Sequence, residues 1–121
     1  GGTNNWGQVK KLIASDGAAD DLFGYSVSIS GNTVVVGASN EDHDTDGNGT
    51  DEILVGAAYL FQRNQDGTNS WGQTSKLTAY DGALGDFFGQ SVATSGSTVV
   101  VGAPNDDNAS GADTGAVYFY Q

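Results

Sequence analysis

A chain of 121 residues with 37% hydrophobic content is long enough for one small core. Its 4 Lys and Arg against 15 Asp and Glu leave a net charge of -11, which repels nucleic acid and anionic membrane and favours metal cations and basic partners. The absence of Cys excludes a disulfide framework, a thiolate metal site and a cysteine nucleophile, and no apolar run approaches the roughly 20 residues that cross a bilayer.

The first predicted strand covers residues 8–14, with Trp6 just ahead of it; Lys10 and Lys11 mark it as an exposed edge. A polar loop over 15–21 follows. After Phe23-Gly24 come two short apolar runs, 25–30 and 33–37, joined at Ser30-Gly31-Asn32, which is the signature of a tight hairpin. Val34-Val35-Val36 has no polar face, so this strand is expected to be buried on both sides. A long acidic loop then leads to the last strand of the unit, residues 57–62.

The whole pattern returns. Residues 1–40 align with 66–105 without a gap and with 26 identities in 40, an offset of 65 positions. Gly56-Ala57-Ala58-Tyr59 comes back as Gly115-Ala116-Val117-Tyr118, and the loop ahead of it is six residues longer in the first copy. The units are therefore residues 1–65 and 66–121. No window carries helical periodicity. Four antiparallel strands per unit, repeated at this spacing, predict an all-β fold of two four-stranded antiparallel blades of a β-propeller. An independent eight-stranded sandwich is the competing architecture, and the near-identical internal repeat argues against it. The second unit's last strand, from Ala116 onward, has no outer strand after it. That outer strand is expected from residues 6–14 of another copy or from a neighbouring segment. The expected partner is then a second copy joined head to tail, in a ring of three or four chains, with a self-assembling filament or a blade pair belonging to a larger secreted protein as the alternatives.

These residues also carry a resemblance. Phe23-Gly24 with Val36-Gly37-Ala38, and Phe88-Gly89 with Val101-Gly102-Ala103-Pro104, resemble FG-GAP repeats, the repeats of integrin alpha propellers and of many secreted bacterial proteins. The resemblance implies that Phe-Gly opens the innermost strand and that residues 6–14 are the outermost strand of a preceding blade. It further implies an extracellular or cell-surface binding and adhesion module, often with Ca²⁺ in Asp-rich loops. It names no ligand, so a protein and a carbohydrate are both open as partners.

Strand alternation places the loops at 15–23, 39–56, 80–88 and 104–115 on one rim, and fourteen of the fifteen carboxylates fall in them; only Asp66 lies on the other rim. Within them, Asp44-Thr45-Asp46-Gly47-Asn48-Gly49-Thr50-Asp51-Glu52 reads as Asp-x-Asp-x-Asn-Gly-x-x-Glu. Asp44, Asp46, Asn48 and Glu52 supply side-chain oxygens, Thr50 a backbone carbonyl, and the glycine a sharp turn, which suits the oxygen-rich shell of Ca²⁺. The loop resembles the family's calcium loop, with one departure: the family's usually joins the first and second strands, and this one follows Val-Gly-Ala. The alternative is a plain acidic insertion. Asp42, Asp106, Asp107 and Asp113 are further candidate binding carboxylates, in weaker spacing. His43 is the only histidine and reads as a solvated loop residue. With no Gly-x-Ser-x-Gly, Gly-x-Gly-x-x-Gly or P-loop pattern, the expectation is a protein that is not an enzyme. Trp6 and Trp71 hold the same place in each repeat and read as packing residues rather than sugar platforms.

Overall fold

The computed structural model describes residues 7–42, 54–64, 70–83, 85–106 and 114–121. These form seven strands: β1 (Phe23–Ser30), β2 (Thr33–Ala38), β3 (Ala57–Arg63), β4 (Trp71–Leu77), β5 (Ser91–Ser95), β6 (Thr98–Ala103) and β7 (Ala116–Tyr120). Sheet 1 has the order β1-β2-β3-β4 and sheet 2 the order β5-β6-β7, with every pairing antiparallel. The protein is thus all-β, in two meandering sheets, as the alternating and all-apolar runs predict. Gly31 and Gly96 sit at φ of +56° and +57° in the two hairpin turns, the left-handed conformation that the Ser-Gly signature anticipates.

The sheets pack face to face. Val35, Ala58 and Leu60 on the back of sheet 1 meet Phe88, Val99, Val101 and Tyr118 on the front of sheet 2. The front of sheet 1 carries a second cluster of Val36, Ala38, Tyr59 and Phe61. Val35, Val36, Val99 and Val101 are buried, whereas Val34, on the partly covered front of sheet 1, and Val100, on the open back of sheet 2, are only half-buried.

Hydroxyls join the innermost strands. Ser26 donates to the Gly89 carbonyl at 2.8 Å, and the Oγ atoms of Ser28 and Ser30 accept from the Thr94 and Gly96 amides at 3.1 Å each. The turn before β5 enters the same joint. The Phe88 amide donates to the Val55 carbonyl at 2.9 Å, and Gly56 and Phe88 form a parallel bridge. A Cβ on Gly89 would lie 2.3 Å from the Ala57 oxygen, so the joint closes only over a glycine.

Two expectations need correction. Residues 8–14 are not a strand. A strand needs a ladder partner, and this segment has none among the described residues. It lies across the front of sheet 1 instead, where Leu12 and Ala14 pack on the second cluster and the Ser15 amide donates to Gln73 Oε1 at 3.0 Å. Phe-Gly opens the innermost strand in the first unit but not in the second, where β5 begins only at Ser91. There the positive φ of Phe87 and Gly89 turns the Phe88 backbone toward sheet 1.

Candidate functional site

Each unit builds the same rim from three pieces. In the first piece a carboxylate closes a tight turn: Asp21 Oδ2 accepts from the Ala18 amide, and Asp86 Oδ2 from the Ala83 amide, both at 2.8 Å. In the second, the chain leaving the buried strand folds back on that turn. The Asn40 amide donates to the Asp21 carbonyl at 3.2 Å, and the Asn105 amide to the Asp86 carbonyl at 3.4 Å. The third piece is a tyrosine from the next strand, Tyr59 or Tyr118. The carboxylate-bearing loops of one unit therefore do share a rim, as strand alternation requires.

In the first unit these pieces form a closed polar cluster. Tyr59 donates its hydroxyl to Asp16 Oδ1 at 2.7 Å. Lys76, from β4, donates to Asp16 Oδ2 and Glu41 Oε1 at 2.6 Å each, with its ammonium 5.7 Å from the centre of the Tyr59 ring. Glu41 is only 4% exposed, so its charge is matched inside the fold. Burial opposes the ionisation of Asp16, but the Lys76 and Tyr59 hydrogen bonds outweigh it and hold the carboxyl below its usual range. Burial likewise opposes the charge of Lys76, and its two carboxylate partners overcome that and raise its pKa. Burial, followed by the bond to Asp16, pushes the Tyr59 phenol far above its usual range.

The second unit repeats the cluster without the ammonium. Tyr118 lies between Asp81, 2.6 Å away, and Asp106, which is closer still and 2% exposed. Burial and then these two carboxylates raise the Tyr118 phenol. Among the described residues no lysine or arginine pairs with Asp81 or Asp106.

The same two-unit pattern is legible to comparison. A family model described as FG-GAP repeat matches residues 6–61 and again 71–120. The chain belongs to the FG-GAP repeat family. FG-GAP repeats occur in integrin-like extracellular adhesion domains, are typical of extracellular or cell-surface proteins, and are typically non-enzymatic binding modules. No curated protein matches the sequence. No helix among the described residues is long and apolar enough to cross a membrane.

Of the residues singled out in this FG-GAP chain, Asp44, Asp46, Asn48, Thr50 and Glu52 lie outside the described residues, as do Asp107, Asp113, His43 and Trp6. Asp42 is exposed, and its Oδ1 accepts from the Leu54 amide at 2.8 Å, so the two ends of the acidic loop meet on the rim. Asp106 is buried under Tyr118. Among the described residues no three His, Cys, Asp or Glu side chains converge as metal ligands. Trp71 is half-buried in the front cluster with the Arg63 guanidinium 5.5 Å from its ring centre, in keeping with a packing role. The Tyr–Asp–Lys cluster escaped sequence reasoning. Its signal was present, since Asp16, Glu41, Tyr59 and Lys76 all have repeat counterparts in Asp81, Asp106, Tyr118 and Lys11.

Proposed function

We propose that the chain is a non-enzymatic extracellular binding module whose acidic rim holds Ca²⁺ and presents it to a protein or carbohydrate ligand. The observation that carries this reading is the meeting of Asp42 and Leu54 on a rim already lined by Asp16, Asp21 and Glu41. Asp16, Asp21, Glu41, Asp86 and Asp106 are engaged in turns or with Tyr59, Tyr118 and Lys76, so a bound cation would take its ligands from Asp44, Asp46, Asn48, the Thr50 carbonyl and Glu52. Oxygen donors of mixed charge suit Ca²⁺ in particular. Burial, then the neighbouring charges of Glu41, Asp42 and Asp16, raise the Asp21 carboxyl above its usual range, which marks the rim as a negative field that a cation relieves. Titration calorimetry with Ca²⁺ tests this. The wild type should bind with measurable heat and melt at a higher temperature in Ca²⁺, and Asp46→Ala should lose both effects. A wild type that gives no heat and no stabilisation leaves the loop a plain acidic insertion.

A further inference from the structure

The two units are built alike, but among the described residues only the first has its back covered. On the back of sheet 1 the Phe88-Gly89 backbone is seated so closely that a Cβ on Gly37 would fall 2.0 Å from the Gly89 oxygen. Beside it β4 pairs with β3 and sets Lys76 opposite Tyr59, where it reaches Asp16 and Glu41.

Sheet 2 has the same back. An open groove of about 520 Å³ is lined by Ser91, Gly102, Ala103, Gly115, Ala116 and Val117. These are the repeat counterparts of Ser26, Gly37, Ala38, Gly56, Ala57 and Ala58, the residues around the Phe88-Gly89 seat. Nothing from another strand comes near Gly102 except Ser91 of β5. Val117 and Phe119 are 59% and 71% exposed, where their counterparts Ala58 and Leu60 are fully buried and half-buried. Asp81 and Asp106 converge on Tyr118 with no ammonium between them among the described residues.

The element that fits this seat is in the chain itself. Lys11 is the counterpart of Lys76, is exposed, and makes no ion pair among the described residues. Gly24 shares with Gly89 a φ near +95°, but nothing lies within 4 Å of where its Cβ would be. Tyr25, Val27 and Ile29 on the front of sheet 1 are 56%, 65% and 63% exposed.

We propose that the back of sheet 2 is the seat for the front of a second copy of this chain, whose Lys11 lies between Asp81 and Asp106 as Lys76 lies between Asp16 and Glu41. Carrying the β3–β4 register over by the repeat sets Leu12 of that copy opposite Val117, Lys11 opposite Tyr118 and Lys10 opposite Phe119. The segment over 7–14, which has no ladder partner among the described residues, becomes the outer strand of sheet 2. The hydroxyl joint also carries over, with Ser91 donating to the Gly24 carbonyl and Ser95 accepting from the Gly31 amide. Ala93 stands where Ser28 would be, so the middle bond of the three is lost. Charge complementarity selects the orientation: the chain's net charge is -11, and this joint sets one of its few cations against two carboxylates. The seat and the front are different surfaces, so copies of this chain join head to tail. Three or four of them make six or eight blades, within the roughly four to eight of closed propellers.

Sedimentation velocity on the whole chain tests the inference, with two variants of exposed residues, Lys11→Glu at the front and Phe119→Asp at the back. Circular dichroism melts verify that both fold. The wild type should sediment as a small closed assembly at micromolar concentration without added metal. Each variant should associate about tenfold more weakly or worse. An equimolar mixture of the two should recover dimers, because each retains the face that the other has lost. A wild type that stays monomeric overturns the proposal. So does Lys11→Glu assembling as the wild type does, a mixture that remains monomeric, or assembly that appears only with Ca²⁺. Failure of the calorimetric test of Ca²⁺ leaves this joint untouched, since it needs no metal.

Discussion

Lys76 shows how much one side chain settles in so acidic a chain. It is the only cation that pairs with Asp16 and Glu41 among the described residues, and it links β4 to two loops of the rim. Lys76→Met keeps the stem and removes the charge, leaving two carboxylates face to face. We expect a loss of about 2 kcal/mol and a melting temperature lower by several degrees, read by calorimetry at neutral pH. The pH profile follows from the same cluster. The Asp16 carboxyl is held below its usual 3.8, so its contribution is present above that pH and is lost as the pH falls through the folded value. Asp21 is raised and works the other way, so protonating it offsets part of the acid loss. The Tyr59 phenol is raised above its usual 10.0 and Lys76 above 10.5, so their stabilisation is full below those values and declines as the pH rises past them. Thermal melts should therefore be steady through the neutral range and weaken at both extremes. Tyr59→Phe should flatten the alkaline limb, and an unchanged limb would show that the phenol is not coupled to folding.

Among the elements, β2 carries the joint between the sheets. Val35 is fully buried on the back of sheet 1, and Val35→Asp would place an unpaired charge there at a cost of about 3–5 kcal/mol. Urea titration should find this variant unfolded or nearly so; a midpoint like that of the wild type would mean that the two sheets do not pack as described. The turn before β5 allows a finer test. Gly96→Ala must adopt a left-handed φ in open space, which costs about 1 kcal/mol. Gly89→Ala adds a Cβ 2.3 Å from the Ala57 oxygen and should destabilise well beyond that. β1, β2 and β3 were legible in sequence to within two residues, because Ser-Gly turns and the valine run leave little choice of register. Residues 8–14 misled because their apolar pattern is that of a strand, while a strand's existence is decided by a partner that local sequence does not name. Phe88 misled for a related reason, since its backbone bonds to a neighbouring sheet and not to its own. The site was half legible. The repeat announced Asp16 and Asp81, but their partners come from loops and strands 25 to 60 positions away, where local spacing is silent.

For the molecule as a whole, charge and shape pull in different directions. A net charge of -11 makes two copies repel at long range, whereas the proposed Lys11 contact would act at short range. Moderate salt should therefore strengthen head-to-tail association before high salt weakens it. Sedimentation across a sodium chloride series reads this directly, and a steady weakening from the lowest salt upward would mean that exposed ion pairs, not packing, hold the copies together. Sheet 1 is covered on its back by sheet 2, and its own front is partly covered by residues 7–14 of the chain.

The hydroxyl joint between β1 and β5 has a consequence for how such a molecule can change over generations. Its serines address main-chain groups of the receiving strand, the Gly89 carbonyl and the Thr94 and Gly96 amides, and at Thr94 every residue but proline supplies that amide. The receiving side chain at Thr94 is thereby released from matching the serine, so duplicated units can diverge there and stay compatible. A further unit carrying Ser-x-Ser-x-Ser on its first strand should be accepted without retuning the unit beside it. The length of such an array is then free to vary by duplication, one blade at a time.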